Sequence, residues 1–149
     1  MNEEITKLLS ELVDLLKAED ATLFLFQDNK PDAFLEVVAV GRNTDFINLT
    51  LPHGDGIAGW VSVYGEPIIS NNPGKDPRFL DVIDILSKVN TKSILAVPVV
   101  YNSRTIGVVE VINKSGNEEF IESDIAQTVQ TTEEILSLIP EERIRSIIG

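Results

Sequence analysis

The chain has no cysteine among its 149 residues. That absence removes disulfides, thiolate metal sites, thiol nucleophiles and thioether attachment of a cofactor, covalent bilin included. Histidine is nearly as scarce. His53 stands alone, so no nucleophile can be paired with an imidazole base beyond that one ring. As a haem ligand His53 is poorly placed, because it adjoins Pro52 and a glycine turn of the kind found in surface loops. No apolar run is long enough for a membrane span and no basic-then-apolar signal peptide is present, so the expected compartment is the cytoplasm, with no membrane partner. Positive charge is also in short supply. Twelve basic residues face 24 acidic ones, a net charge of −12 that repels nucleic acid and anionic membranes, so direct nucleic-acid binding is not expected. Internal repeats and low-complexity segments are missing as well. No cofactor and no metal site is expected from these residues.

What the chain does have is 43% hydrophobic content, enough for one globular domain with a core of ordinary size. The strongest local signal is a hairpin between Ser93 and Asn113. Two β-branched runs, residues 94–100 and 105–112, flank a short polar turn. Both runs are apolar on successive residues, which requires a covered surface on each face of the sheet. Glu110 interrupts the second run, on the strand face expected to carry Ile106, Val108 and Ile112. A carboxylate among such neighbours requires a partner, a wet edge or a ligand.

In chain order, residues 2–18 predict a helix with Ile5, Leu8, Leu9, Leu12, Val13, Leu15 and Leu16 in a wide apolar stripe, broad enough for a core face and a dimer face together. Strands are predicted over 21–26, 33–40 and 46–51, and a short helix over 57–64, stopped by Gly65. Gly54, Gly56 and Gly59 match the spacing of a dinucleotide fingerprint, but no parallel strand-helix-strand unit surrounds them; a tight approach into the helix explains them better. A brief strand follows over 66–70. Residues 71–92 then form the longest irregular stretch, with one short helical pattern over 79–86, and such loops often act as lids. From Asn71 to Lys114 six basic residues stand against four acidic ones, so this segment is locally positive in an acidic chain. The last long helix is predicted over 122–139, with Ile125, Val129, Thr132, Leu136 and Ile139 on one face. Residues 1–139 are expected to be one domain, and 140–149 an extension or the start of a linker to an output domain.

The motifs Gly56-Ile57-Ala58-Gly59, Gly65-Glu66-Pro67-Ile68, Asp76-Pro77-Arg78-Phe79, Ser93-Ile94-Leu95-Ala96-Val97-Pro98-Val99 and Ile106-Gly107-Val108-Val109-Glu110-Val111-Ile112-Asn113-Lys114 occur in an order that resembles the GAF domain, a cytoplasmic sensor module of cyclic nucleotide phosphodiesterases and bacterial signalling proteins. The resemblance implies an α+β fold, GAF/PAS-like, with a six-stranded antiparallel sheet between helices. Its terminal helices would pack together on one face, with a ligand pocket on the other. It also implies a structural salt bridge between Lys114 and Asp124, part of a signature that runs Asn113, Lys114, Phe120, Asp124 but ends in Ile125 instead of glutamate. By the same resemblance Ile57 and Ala58 would meet a ligand through their backbone, Thr91 would sit on the lid with Ser87 in place of a second threonine, and Glu110 would lie on the pocket wall. The phenylalanine and aspartate expected at the end of the second strand are Val40 and Gly41, which weakens base stacking and base-edge reading.

Two functions follow as expectations. The first is a non-catalytic sensor or regulatory domain in signal transduction. It would bind a small cytoplasmic ligand, with a cyclic nucleotide or another anion as candidates, and transmit through its terminal helices. The second is a ligand-free dimerisation module, with a homodimer formed through the terminal helices in either case. The one enzymatic branch with this resemblance, a reductase of free methionine sulfoxide, needs the cysteines the chain lacks.

Overall fold

The computed structural model describes residues 2–27, 34–52, 54–79 and 90–149. The expected lid helix over 79–86 therefore lies, apart from Phe79, outside the described residues, as do Ser87 and His53. The elements are α1 (Asn2–Leu16), β1 (Ala18–Phe26), β2 (Leu35–Val40), β3 (Thr50–Leu51), α2 (Gly56–Tyr64), β4 (Ile68–Ser70), β5 (Ile94–Tyr101), β6 (Arg104–Lys114), α3 (Glu122–Leu138) and α4 (Glu141–Ile148). All six strands join one antiparallel sheet in the order β3-β2-β1-β6-β5-β4. The fold class is the one expected.

The β5–β6 hairpin places β6 beside β1 at the middle of this sheet and β5 next to the edge strand β4. Its turn residues Asn102 and Ser103 both take left-handed backbone (φ 47° and 64°), the geometry of a two-residue type I′ turn. Pro98 is tolerated because β4 pairs with β5 only from Ile94 to Ala96, so at Pro98 the strand has β6 as its sole described ladder neighbour.

Two cores sit on the two faces. On one, α1 and α3 cover Leu23, Leu25, Leu95, Val97, Val109 and Val111; on the other, α2 and the 40s loop cover Phe24, Val37, Ile94, Ala96 and Val108. The continuous apolar runs of β5 and β6 feed both cores by simple alternation.

Four local readings need correction. Helix α1 ends at Leu16, where Lys17 turns left-handed (φ 54°) and donates its N–H to the Asp14 carbonyl, so β1 starts at Ala18. Only Thr50–Leu51 of the expected third strand is a strand. Thr44–Phe46 instead forms a 3₁₀ turn whose cap, Asn43, accepts the Asp45 N–H, and Asn48 takes φ 70°, which ends extension there. In β6, Ile106 is the extra residue where Val99 pairs with Gly107 and Val100 with Thr105; this bulge turns Ile106 into the helix-side core, away from Glu110. Helix α3 is rotated from its expected face: Asp124, Thr128, Thr132 and Ile135 are buried, while Ile125, Val129 and Leu136 flank them half-buried. The threonine hydroxyls are satisfied within the helix, Thr128 Oγ1 donating to the Asp124 carbonyl (2.8 Å) and Thr132 Oγ1 to that of Val129 (2.6 Å).

The last residues, which have no place in the sequence pattern, have one in the structure. After Pro140 the chain turns into α4, which buries Ile144; Arg143 donates to the Phe26 carbonyl (3.2 Å) and Arg104 to that of Ile148 (3.2 Å).

Candidate functional site

The pocket-side core is not filled. A cavity remains between the sheet and α2, lined by Thr22, Phe24, Val37, Ile57, Phe79, Thr91 and Glu110 among others. The space open to the centre of a water molecule is about 40 Å³. That holds a few waters; a larger ligand has to move the walls.

Each wall residue arrives by a separate route. Glu110 stands on β6 opposite Thr22 of β1 and Ala96 of β5, so its half-buried carboxylate lies in the middle of the sheet beside a hydroxyl and a methyl group. Ile57 and Ala58 belong to the first turn of α2, preceded by left-handed Gly54 (φ 90°) and Gly56 (φ 73°). Gly59 explains the glycine spacing: a Cβ there would lie 2.9 Å from the Gly54 carbonyl carbon, so these glycines let the loop press against the helix and bind no dinucleotide phosphate by that spacing. The side chain of Asp55, at the N-cap, makes no capping bond. Phe46 and Leu51 come from the segment read as a longer strand, and Phe79 closes one side.

Four of the five residues singled out in the sequence, Ile57, Ala58, Thr91 and Glu110, therefore meet at one cavity. Ser87 lies outside the described residues. Sequence reasoning missed Thr22, Phe24, Phe46 and Phe79. For Thr22 and Phe24 a signal existed, since they share one face of β1; for Phe46 none did, because the 3₁₀ turn that aims it inward was not anticipated. Val40 is buried in the pocket-side core, and Gly41 faces α1 instead: a Cβ on it would sit 3.2 Å from Asp20 Oδ1 and 3.3 Å from the Ser10 nitrogen.

Several charged side chains outside the cavity lining are paired or hydrogen-bonded. Lys114 Nζ meets Asp124 Oδ2 at 2.6 Å with both side chains nearly buried, and lies 6.0 Å from the Phe120 ring centre. Asp76 receives two bonds from the Arg78 guanidinium (2.9 and 2.7 Å), which hold its carboxyl below the usual carboxylate range and raise Arg78 in turn. The same guanidinium lies 5.8 Å from the ring centre of Trp60, which stacks with Tyr64 at 4.8 Å. Asp20, at the other end of β1, accepts the N–H groups of Ala21, Arg42 and Asn43; burial outweighs these bonds and pushes its carboxyl up. Among the described residues no group of three or more His, Cys, Asp or Glu could hold a metal ion, and no helix is long and apolar enough to cross a membrane.

A single antiparallel sheet with packed helices on one face and a cavity on the other makes the chain an α+β domain. The profile of the GAF domain family matches residues 1–136, and the chain belongs to that family. It is 30% identical over 133 residues to the dual 3',5'-cyclic-AMP and -GMP phosphodiesterase 11A of Takifugu rubripes, covering 83% of this chain and 15% of that protein. Against the dual phosphodiesterase 11 of Drosophila melanogaster the figures are 35% identity, 79% and 9%. The chain thus corresponds to a small part of these relatives. Among solved structures, the GAF domain from a phosphoenolpyruvate-protein phosphotransferase of Coxiella burnetii matches with a TM-score of 0.76 at 20% identity, covering 91% of this chain and 82% of that one. The type II free methionine-R-sulfoxide reductase of Thermoplasma acidophilum matches at 0.74 and 17%, covering 92% and 90%. At these identities the structures speak for the fold alone.

Proposed function

We propose that this domain is a non-catalytic sensor module, located in the cytoplasm, that binds a small ligand in the cavity beneath Glu110 and passes the change to its terminal helices. One observation carries the reading: a carboxylate and two threonines, Thr22 and Thr91, stand on the wall of an otherwise apolar cavity. Glu110 and Thr22 suit a ligand edge that offers N–H or O–H donors. The first-turn N–H groups of α2, which Asp55 does not cap, suit an anionic end. A cyclic nucleotide has both ends and is the first candidate, and the phosphodiesterase relatives are named for acting on such molecules. It would have to widen the cavity to enter.

Catalysis is not part of the reading. The reductase neighbour has the same fold, but this chain brings no thiol to a comparable reaction.

A thermal-shift panel of cyclic AMP, cyclic GMP, related dinucleotides and small carboxylates tests the proposal. A ligand present at a hundred times its dissociation constant stabilises the fold by about 2.7 kcal/mol. Glu110→Ala should abolish that gain, and an undiminished gain in this variant would place the ligand elsewhere.

A second reading, a dimerisation module without a ligand, is favoured by Leu15, which is 59% exposed on α1, two turns beyond half-buried Leu8. Sedimentation separates the two: a monomer at high protein concentration removes the second reading and leaves the first standing.

A further inference from the structure

A buried carboxylate outside the cavity stands near the start of β1. Asp20 is 2% exposed, and both of its oxygens are taken by backbone donors: Oδ1 accepts the N–H groups of Ala21 (2.8 Å) and Arg42 (2.9 Å), and Oδ2 accepts that of Asn43 (2.8 Å). Every partner is a donor. A carboxylate therefore fits where an asparagine would turn its amide against an N–H. Through Arg42 and Asn43 this one side chain fixes the course of the chain as it leaves β2.

That course leads to the cavity. Asn43 caps the 3₁₀ turn Thr44–Phe46 by accepting the Asp45 N–H (3.0 Å), and its carbonyl accepts the Phe46 N–H (3.3 Å). Phe46, 4% exposed, is one of the cavity walls. Beyond the turn, Asn48 donates its N–H to the Val37 carbonyl (3.1 Å), and Val37 donates to that of Leu49 (2.9 Å). Phe46 thus hangs between two fastenings, a backbone pairing with β2 on one side and the Asp20 carboxylate on the other. The same chain also lies against α1: a Cβ on Gly41 would sit 3.3 Å from the Ser10 nitrogen, and Arg42 pairs with Asp14.

We propose that Asp20 is a positioning residue that holds the Phe46 wall closed and so sets how readily the cavity admits a ligand. This inference rests on the cavity being the ligand site proposed above. The open space is about 40 Å³, so a larger ligand enters only when a wall moves, and the cost of moving it lowers the apparent affinity. Phe24 and Glu110 stand on strands paired on both sides, whereas Phe46 stands on a short turn held at its entry by one side chain. The Phe46 wall is the one that yields. Its movement reaches α1 through Gly41 and Arg42.

The first test needs no ligand. Asp20→Asn keeps the shape of the side chain and removes one acceptor, and amide hydrogen exchange is read at residues 45–49 with the amides of β5 as control. Exchange at 45–49 should run about tenfold faster, beyond any change at β5, as the loss of one buried hydrogen bond implies. An acceleration no larger than that at β5 overturns the inference. The second arm uses cyclic GMP as the probe. A side chain with a merely structural role would weaken binding or leave it unchanged when replaced; Asp20→Asn should instead bind cyclic GMP at least threefold more tightly than the parent, because less work is needed to open the wall. Unchanged or weaker binding overturns the inference. If neither protein binds cyclic GMP, the ligand reading is what loses support, and the exchange result alone decides whether Asp20 holds the wall. If Asp20→Asn fails to fold, Gly41→Ala takes its place: the added Cβ would lie 3.2 Å from Asp20 Oδ1, which presses the chain off the carboxylate without removing it, and the same two results are expected.

Discussion

The two faces of the sheet are built from the same strands and obey different rules. Toward α1 and α3 the strands present Leu23, Leu25, Leu95, Val97, Val109 and Val111, all at most 1% exposed and all aliphatic. Toward α2 the same strands present Thr22, Phe24, Ala96, Glu110 and Ile112, with a cavity among them. A face selected for stability alone would be closed like the first. The second is less completely packed and carries a half-buried carboxylate, the difference on which the proposed ligand site rests.

Substitutions can sharpen that contrast. The largest effect should come from the ion pair at the border of the faces: Lys114→Met leaves Asp124 charged and nearly buried, and urea denaturation should show a loss of roughly 3–5 kcal/mol. On the helix side, Leu95→Ala should cost about 2–5 kcal/mol by the same measurement. On the cavity side, Glu110→Gln should change stability by less than about 1 kcal/mol while weakening any ligand found in the thermal-shift panel at least tenfold. If Glu110→Gln instead destabilised as much as Leu95→Ala, the two faces would be equally structural and the contrast would collapse.

Acid should distinguish two carboxylates of opposite tendency. Asp76 titrates lower in the folded chain than in the unfolded one, so its contribution is present above about pH 4 and is lost as the pH falls below that value. Asp20 is shifted the other way, so it favours the folded state when protonated, and that advantage fades as pH rises through its folded pKa. Between pH 5 and pH 2 the urea midpoint of Asp76→Asn should therefore fall less than that of the parent. The smallest effect belongs to the exposed Arg145–Glu141 pair: Glu141→Gln should cost no more than about 0.5 kcal/mol.

How much of this was legible depended on whether the backbone kept its period. The β5–β6 hairpin and α2 with its Gly65 stop followed from runs that continue without interruption, whereas Ile57, Ala58, Thr91 and Glu110, which line one cavity, were grouped by the family resemblance. The reading failed where one residue broke the period. Ile106 sits in a bulge, Asn48 turns left-handed, and a single ion pair from Lys114 draws Asp124 inward and rotates α3 away from its most apolar face. Apolar patterning reports what a face prefers, and a buried charge pair can overrule it. The side-chain hydrogen bonds of Asn71 and Asn113 were not legible for a different reason. An asparagine does not announce its side-chain partners in the sequence, and these lie 49 and about 20 residues away.

The stack of Arg78, Trp60 and Tyr64 gives the domain an optical signal of its own. The chain has a single tryptophan, so its indole emission comes from one place. That indole stands in α2, three residues from Ile57, and the guanidinium near it belongs to the residue before Phe79; both Ile57 and Phe79 line the cavity. A movement of either wall that shifts α2 or Arg78 is expected to change the emission of the ring. Intrinsic fluorescence of unlabelled protein is therefore a direct readout for the ligand binding proposed above.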